Sequence, residues 1–254
     1  MWLAGGRPPL RRIALGVKEA SVEVHLRPVA SRARFAVVAF VLTLAVLAAS
    51  VWHDFALLGL AGRIAAGQAG QALQVEAASL DQAEVLIAGA YVVAVIVTAV
   101  AFCMWVHRSY ANLVTAGVSG LRYTARRAVE GFFIPFVNLV RPFRVVNELW
   151  GASRNLAAGA ALVPADAQKN THWAVGIWWI SMLLGNGYAR ITSAMLDAAR
   201  TAADFEQYAR QSLVADGVML IAAAMAVMIV RTISGWQESA RMIRGTDTPV
   251  LTPN

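Results

Sequence analysis

Four histidines and one cysteine are the side chains in this 254-residue chain best suited to metal binding, nucleophilic attack or proton transfer near neutral pH. They are scattered. His25, His53, His107 and His172 include no pair four apart on one helix, and there is no H-E-x-x-H run. His53 stands beside Asp54 as the only His–acid neighbours, but adjacent helical positions do not face each other. Cys103 lies alone in an apolar run, which excludes an intrachain disulfide and a cysteine-rich metal site and leaves a small packing residue. No Walker-type phosphate loop and no G-x-S-x-G elbow occur. The expectation is a non-enzymatic protein with no catalytic residue, no metal site and no cofactor.

The elements that carry these residues are apolar. The chain is 58% hydrophobic and only 15% charged, against roughly 25% charged for a soluble domain. Phe35 to Trp52 and Val85 to Val106 are free of charge, and each is long enough to cross most of a bilayer at about 1.5 Å per residue. Ser79 with Gln82 fits a capping box ahead of the second run, with Asp81 and Glu84 suited to a helix N-terminus. Trp173 to Ala189, containing Asn186 between Gly185 and Gly187, and Leu213 to Ile233, containing Asp216 and Arg231, supply a third and a fourth candidate. Asn186 is placed to kink its helix or bond across helices. Asp54, Arg190, Asp197 and Asp216 fall near the outer helix ends, where a pairing of Arg190 with an acid would tie spans together. The fold expected is an all-α integral membrane protein with four transmembrane helices, at about 35–56, 83–106, 173–194 and 213–233. A basic leader, 1–34, precedes the membrane domain, 35–245, and a tail, 246–254, follows it. Within the leader, a stretch around Leu10 to Val24 has the pattern of a surface-lying amphipathic helix.

Charge sets the expected orientation. Of 22 Lys and Arg, seven lie in 1–34 and eight in 107–172, against one in 61–84 and two in 197–212. The positive-inside rule puts both termini and the 107–172 connection in the cytoplasm of a multi-pass inner-membrane protein. The net charge of +7 is thereby a topology signal that also favours anionic lipid headgroups, and it argues against a nucleic-acid partner. A membrane-protein partner or a second copy of the chain fits the same surface chemistry.

The 107–172 connection is too long for a turn. Its stretch 131–153 is apolar yet broken by Pro135 and Pro142, too short to span and unable to form one regular helix. A re-entrant or interfacial segment is expected, followed by a helix from Pro142 with Phe143, Val146 and Trp150 on one face. Arg144 and Glu148, four apart, are placed to pair.

Three ordered motifs cover this region: Trp105-x-x-Arg108-x-x-x-Asn112-Leu113, then Phe133-x-Pro135-x-x-Asn138-Leu139-x-x-Pro142, then Leu149-Trp150-x-x-Ser153. In these the chain resembles a bacterial membrane family catalogued as domain-of-unknown-function family 4328, over about 30 to 245. The resemblance implies an architecture and no activity. The candidate site is therefore Trp105, Arg108, Asn112, Pro135, Asn138, Arg141, Pro142, Arg144 and Trp150. The asparagines are expected to satisfy carbonyls freed near the prolines. Alternatively, Arg108, Arg141 and Arg144 bind an anionic headgroup. A scaffold or interaction module is the leading functional reading, and a transporter or binder of a small solute or anionic lipid is the other.

Overall fold

A computed structural model of the chain describes residues 26–159 and 172–246. The described residues are all helical apart from turns. Six α-helices follow in order: α1 (Ala30–Ala65), α2 (Gln71–Thr115), α3 (Ala125–Glu130), α4 (Arg141–Ala157), α5 (Trp173–Ala198) and α6 (Ala202–Thr246). The stretch expected as a surface-lying helix around Leu10 to Val24 lies outside the described residues. So does the tail beyond 246.

The long helices form two antiparallel hairpins, α1–α2 and α5–α6, with α6 packed along α1. Alanine explains that closeness. Ala33, Ala36 and Ala39 on α1 and Ala215, Ala222, Ala223 and Ala226 on α6 are buried, and small side chains let helix backbones approach. Outward faces are apolar: Val93 is 62% exposed and Leu184 60%. Alanine inside and large aliphatic groups outside is the arrangement of a bundle whose solvent is hydrocarbon. The tight turn at 66–70 joins α1 to α2, and residues 199–201 join α5 to α6. Both turns lie at one end of the bundle, the hairpin end. Residues 26–30 and 238–246 lie at the other, the chain-end side, where the Val29 N–H donates to Glu238 Oε1 at 2.6 Å.

Three described helices, not the expected four, are long and apolar enough to cross a membrane: α1, α2 and α6. α5 has the length, at 26 residues. Its three glycines, Asn186, Tyr188 and Arg190 dilute the apolar content, and it runs in the shelter of α6. The spanning helices also overrun the expected limits. α2 has 45 residues, about 68 Å of helix against roughly 30 Å of hydrocarbon. Ser79 consequently lies inside α2, and its hydroxyl donates to the Glu76 carbonyl at 2.7 Å rather than capping an end. A polar helical extension reads like a loop with a cap when only its apolar half is counted.

Between α2 and α5 the chain folds back beneath the bundle. Residues 131–140 form consecutive turns, including a 3₁₀ turn at Val137–Leu139, and α4 then packs against α6, α2 and α5. Pro142 sits in the first turn of α4 as expected, because a missing N–H costs nothing there.

Gly185 is the tightest point of the α5–α6 contact. A Cβ there would meet Met219 Sδ at 2.4 Å, whereas nothing lies within 4 Å of one at Gly187. Gly185→Leu is expected to lower the unfolding midpoint in detergent by the equivalent of about 1–3 kcal/mol, and Gly187→Leu to leave it unchanged or raise it. Equal midpoints for the two variants would mean that α5 does not pack on α6 through this face.

Candidate functional site

Polar side chains converge on the chain-end side of the bundle. Gln237 on α6 is 1% exposed. Its Nε2 donates to the Ser109 carbonyl of α2 at 3.0 Å and to Ser153 Oγ of α4 at 2.9 Å. Its Oε1 accepts from Asn112 Nδ2 at 3.2 Å. Asn112 also donates to the Arg27 carbonyl at 2.9 Å and accepts from the Arg27 N–H at 3.3 Å. Two amides thus tie the residues before α1 to α2, α4 and α6. In an apolar interior each such group is costly unless paired, so the network fixes one packing.

Neighbouring contacts repeat the theme. Trp105 is fully buried and its Nε1 donates to Ser234 Oγ at 2.9 Å. Glu148 faces inward, accepting from the Tyr110 hydroxyl at 2.6 Å and the Arg122 N–H at 2.9 Å, while Arg144 is exposed. Glu238 accepts from the Val29 and Ala30 N–H groups, placing a carboxylate at the N-terminus of α1, where the helix dipole favours it. Every one of these contacts holds structure. None presents a nucleophile to a base.

A cavity of about 290 Å³ opens between α2 and α5. Phe102 and Tyr91 of α2 and Trp178 of α5 form its flanks, Ala222 and Met219 of α6 its back, and Phe132 and Asn138 its chain-end wall. The lining is mostly carbon. Its polar exceptions are few: Thr43 donates to the Ala39 carbonyl at 3.1 Å, which leaves Thr98 to donate to Thr43 at 2.9 Å. The Trp179 Nε1 donates to the Leu139 carbonyl at 3.0 Å, pinning the 3₁₀ turn against α5.

The residues singled out from the motifs are spread over several places. Trp105 and Asn112 belong to the chain-end network. Asn138 and Pro142 line the cavity. Trp150 is buried, stacked on the His172 ring at 4.0 Å and edge-on to Trp236 at 5.0 Å. Pro135 is exposed in the turns. Arg141 lies over the Tyr123 ring at 5.3 Å and against Gly131, where a Cβ would meet its Cδ at 1.8 Å. Arg108 has Arg32 and Arg27 for charged neighbours. The three arginines offered as one anion site therefore have different surroundings: Arg108 the leader arginines, Arg141 the Tyr123 ring, Arg144 the exposed face of α4. The freed carbonyl near Pro142 is met by Trp179, and Asn112 serves the leader instead. Gln237 went unsuspected because it lies beyond the apolar run, although Ala226, Ile229, Ile233, Gln237 and Ala240 form one helical stripe.

The model of one family, described as Domain of unknown function (DUF4328), matches residues 69–235. The match spans all three motifs and is narrower than the 30 to 245 expected, leaving out α1 and Gln237. No curated protein and no solved structure matches the chain.

Asn112→Ala should strip partners from Gln237 and the Arg27 backbone and cost about 1–3 kcal/mol of stability, whereas Arg144→Ala should stay within roughly 0.5 kcal/mol. Equal midpoints in detergent melts would remove the network from the account. His172 supplies a pH test. Its Nδ1 accepts from the Ala174 N–H at 3.4 Å, and burial, with Arg154 nearby, pushes the imidazole below its usual 6.5. Below pH 6.5 the unfolded chain binds more protons at this site, so its stabilisation is complete above 6.5 and declines as pH falls. His172→Asn is expected to flatten the melting midpoint between about pH 7 and pH 5. An unchanged slope would mean that His172 takes up its proton equally in the folded and unfolded chain.

Proposed function

This chain belongs to the DUF4328 family, and on that premise we propose a non-enzymatic multi-pass protein of the cell inner membrane that holds one apolar chain of a lipid-like amphiphile in its lateral cavity. The observation that carries this reading is the cavity between α2 and α5. At about 290 Å³ it falls just below the usual size of small-ligand sites, roughly 300–1,000 Å³, which suits a single apolar chain. A mostly carbon-lined space of this kind takes apolar guests. The flanking helices carry outward aliphatic groups, so a guest enters from hydrocarbon rather than water.

The same frame supports an orientation. The N-terminus of α1 and the C-terminal part of α6 share one end of the bundle, and the arginine-rich 107–159 stretch lies there too. We assign that end to the cytoplasm by the positive-inside rule. Residues 131–140 then form an interfacial floor. Phe133 is 70% and Phe136 85% exposed, and Phe136 holds φ 62° and ψ −38° at the centre of a γ-turn closed by the Val137 N–H donating to the Pro135 carbonyl at 2.7 Å, a strained conformation that costs about 1–3 kcal/mol. An exposed aromatic group in a strained turn fits burial in headgroups. A scaffold role, with a partner or second copy covering Phe133 and Phe136, is the second reading, and it rests on the same exposure.

Lipid extraction of the gently solubilised protein is expected to recover a stoichiometric amphiphile, lost in both Ala222→Phe and Cys103→Trp, which fill the cavity from its α6 back and its α2 flank. Retention in both would contradict the binding role. Reporter fusions after residues 70 and 205 should read periplasmic, and fusions after 125 and 254 cytoplasmic. A periplasmic C-terminus would overturn the orientation.

A further inference from the structure

The hairpin end holds a second polar cluster, remote from the chain-end network and built on three helices. His53 and Asp54 of α1 are 3% and 1% exposed. Glu84 and Tyr91 come from α2, and Tyr208, Ser212 and Asp216 from α6. Ser212 hydrogen-bonds Asp54, Ser50 hydrogen-bonds Asp216, and the Tyr208 hydroxyl donates to Glu84 Oε1 at 3.3 Å. Asp54 and Asp216 each keep one buried oxygen with no hydrogen-bond partner among the described residues. Of the arginines of this end, Arg63 pairs with Glu76, Arg210 with Glu206, Arg200 sits on the Asp197 and Ala199 carbonyls, and Arg190, expected to pair with an acid, is exposed on α5. Among the described residues none pairs with Asp54, Glu84 or Asp216.

The histidine tautomer decides what the cluster contains. His53 Nε2 lies 3.1 Å from the Leu80 carbonyl oxygen. A carbonyl only accepts, so Nε2 carries hydrogen. In a neutral imidazole Nδ1 is then a bare lone pair. That atom is buried, without a hydrogen-bond partner, and lies 3.2 Å from Glu84 Oε2 and 4.0 Å from Asp54 Oδ1. A lone pair facing two carboxylates in a low-dielectric interior is repulsive. One additional proton, on Nδ1 or on the Glu84 carboxyl, turns the contact into attraction.

We propose that His53 and Glu84, backed by Asp54 and Asp216, form a proton-binding site at the hairpin end of the bundle. The proton is the ligand. Glu84, 31% exposed, is the member through which it exchanges with water. Among the described residues no arginine or lysine pairs with Asp54, Glu84 or Asp216, so the added proton supplies the one positive charge among them. His53 and Tyr208 fix where it sits.

The test uses the full chain in lipid nanodiscs at about pH 8, labelled with ¹⁵N-histidine, with His53 assigned by its loss in His53→Gln. Either a doubly protonated His53 ring or, by infrared, a protonated carboxyl is expected. That signal should vanish in Glu84→Gln and persist in Glu76→Gln, whose carboxylate serves Arg63 instead. A neutral His53 with a bare Nδ1 and no protonated carboxyl in the wild type would overturn the proposal without recourse to any variant. Survival of the signal in Glu84→Gln would overturn the assignment to this pair. Replacing potassium by sodium should change nothing. Loss of the signal in sodium would show a metal cation taking the place of the proton, and would equally refute it.

Discussion

The Gln237 side-chain amide has three partners, on the α2 backbone, an α2 side chain and an α4 side chain, and the chain-end half of the molecule is organised around them. In water such an amide would gain little from any one of them. Among alanine and isoleucine it has no alternative, so the position of α6 against α2 and α4 is set by hydrogen-bond geometry rather than by shape alone. Asn112 passes the same constraint to the residues before α1, and Glu238 reinforces it by receiving the α1 N-terminus. Three structural jobs that loops often perform are thus done by polar groups on long helices.

With that end fixed, the rest of the bundle is free to be loose. Small residues bring α1 and α6 together, α2 and α5 stand on either side, and the space left between them is the cavity. The proline-broken segment closes its chain-end side. Its backbone is satisfied by local turns and by Trp179, which is what allows an irregular stretch to sit against apolar surroundings. Tyr91 lies between the two halves: it lines the cavity and neighbours Asp216 of the hairpin-end cluster. A guest in the cavity therefore sits one side chain away from the acids.

Much of this was legible in the residues, and the failures share a cause. The charge-free runs at 35–52 and 85–106 identified α1 and α2, and Pro142 with Phe143, Val146 and Trp150 identified α4 and its buried face. Apolar content was the wrong measure elsewhere. It gave α5 too much credit as an independent span, ended α6 before Gln237, and turned Ser79 into a helix start. The His53–Asp54 adjacency looked empty because neighbours on one helix diverge. The cluster exists because Glu84 and Asp216 arrive from two other helices, a fact of packing that no local pattern contains. The same holds for Asn112, whose partner at position 237 is 125 residues away.

The central claim is that a lipid-type chain occupies the space between α2 and α5, and photo-crosslinking in the wild-type protein tests it directly. A phospholipid carrying a diazirine on its acyl chain would be incorporated into nanodiscs with the full chain, irradiated, and the adducts mapped by peptide mass spectrometry. The account expects adducts on inward cavity residues such as Met182, Phe102 and Met219. Adducts confined to outward positions such as Val93, Ile180 and Ile221 would show lipid only around the bundle and contradict it.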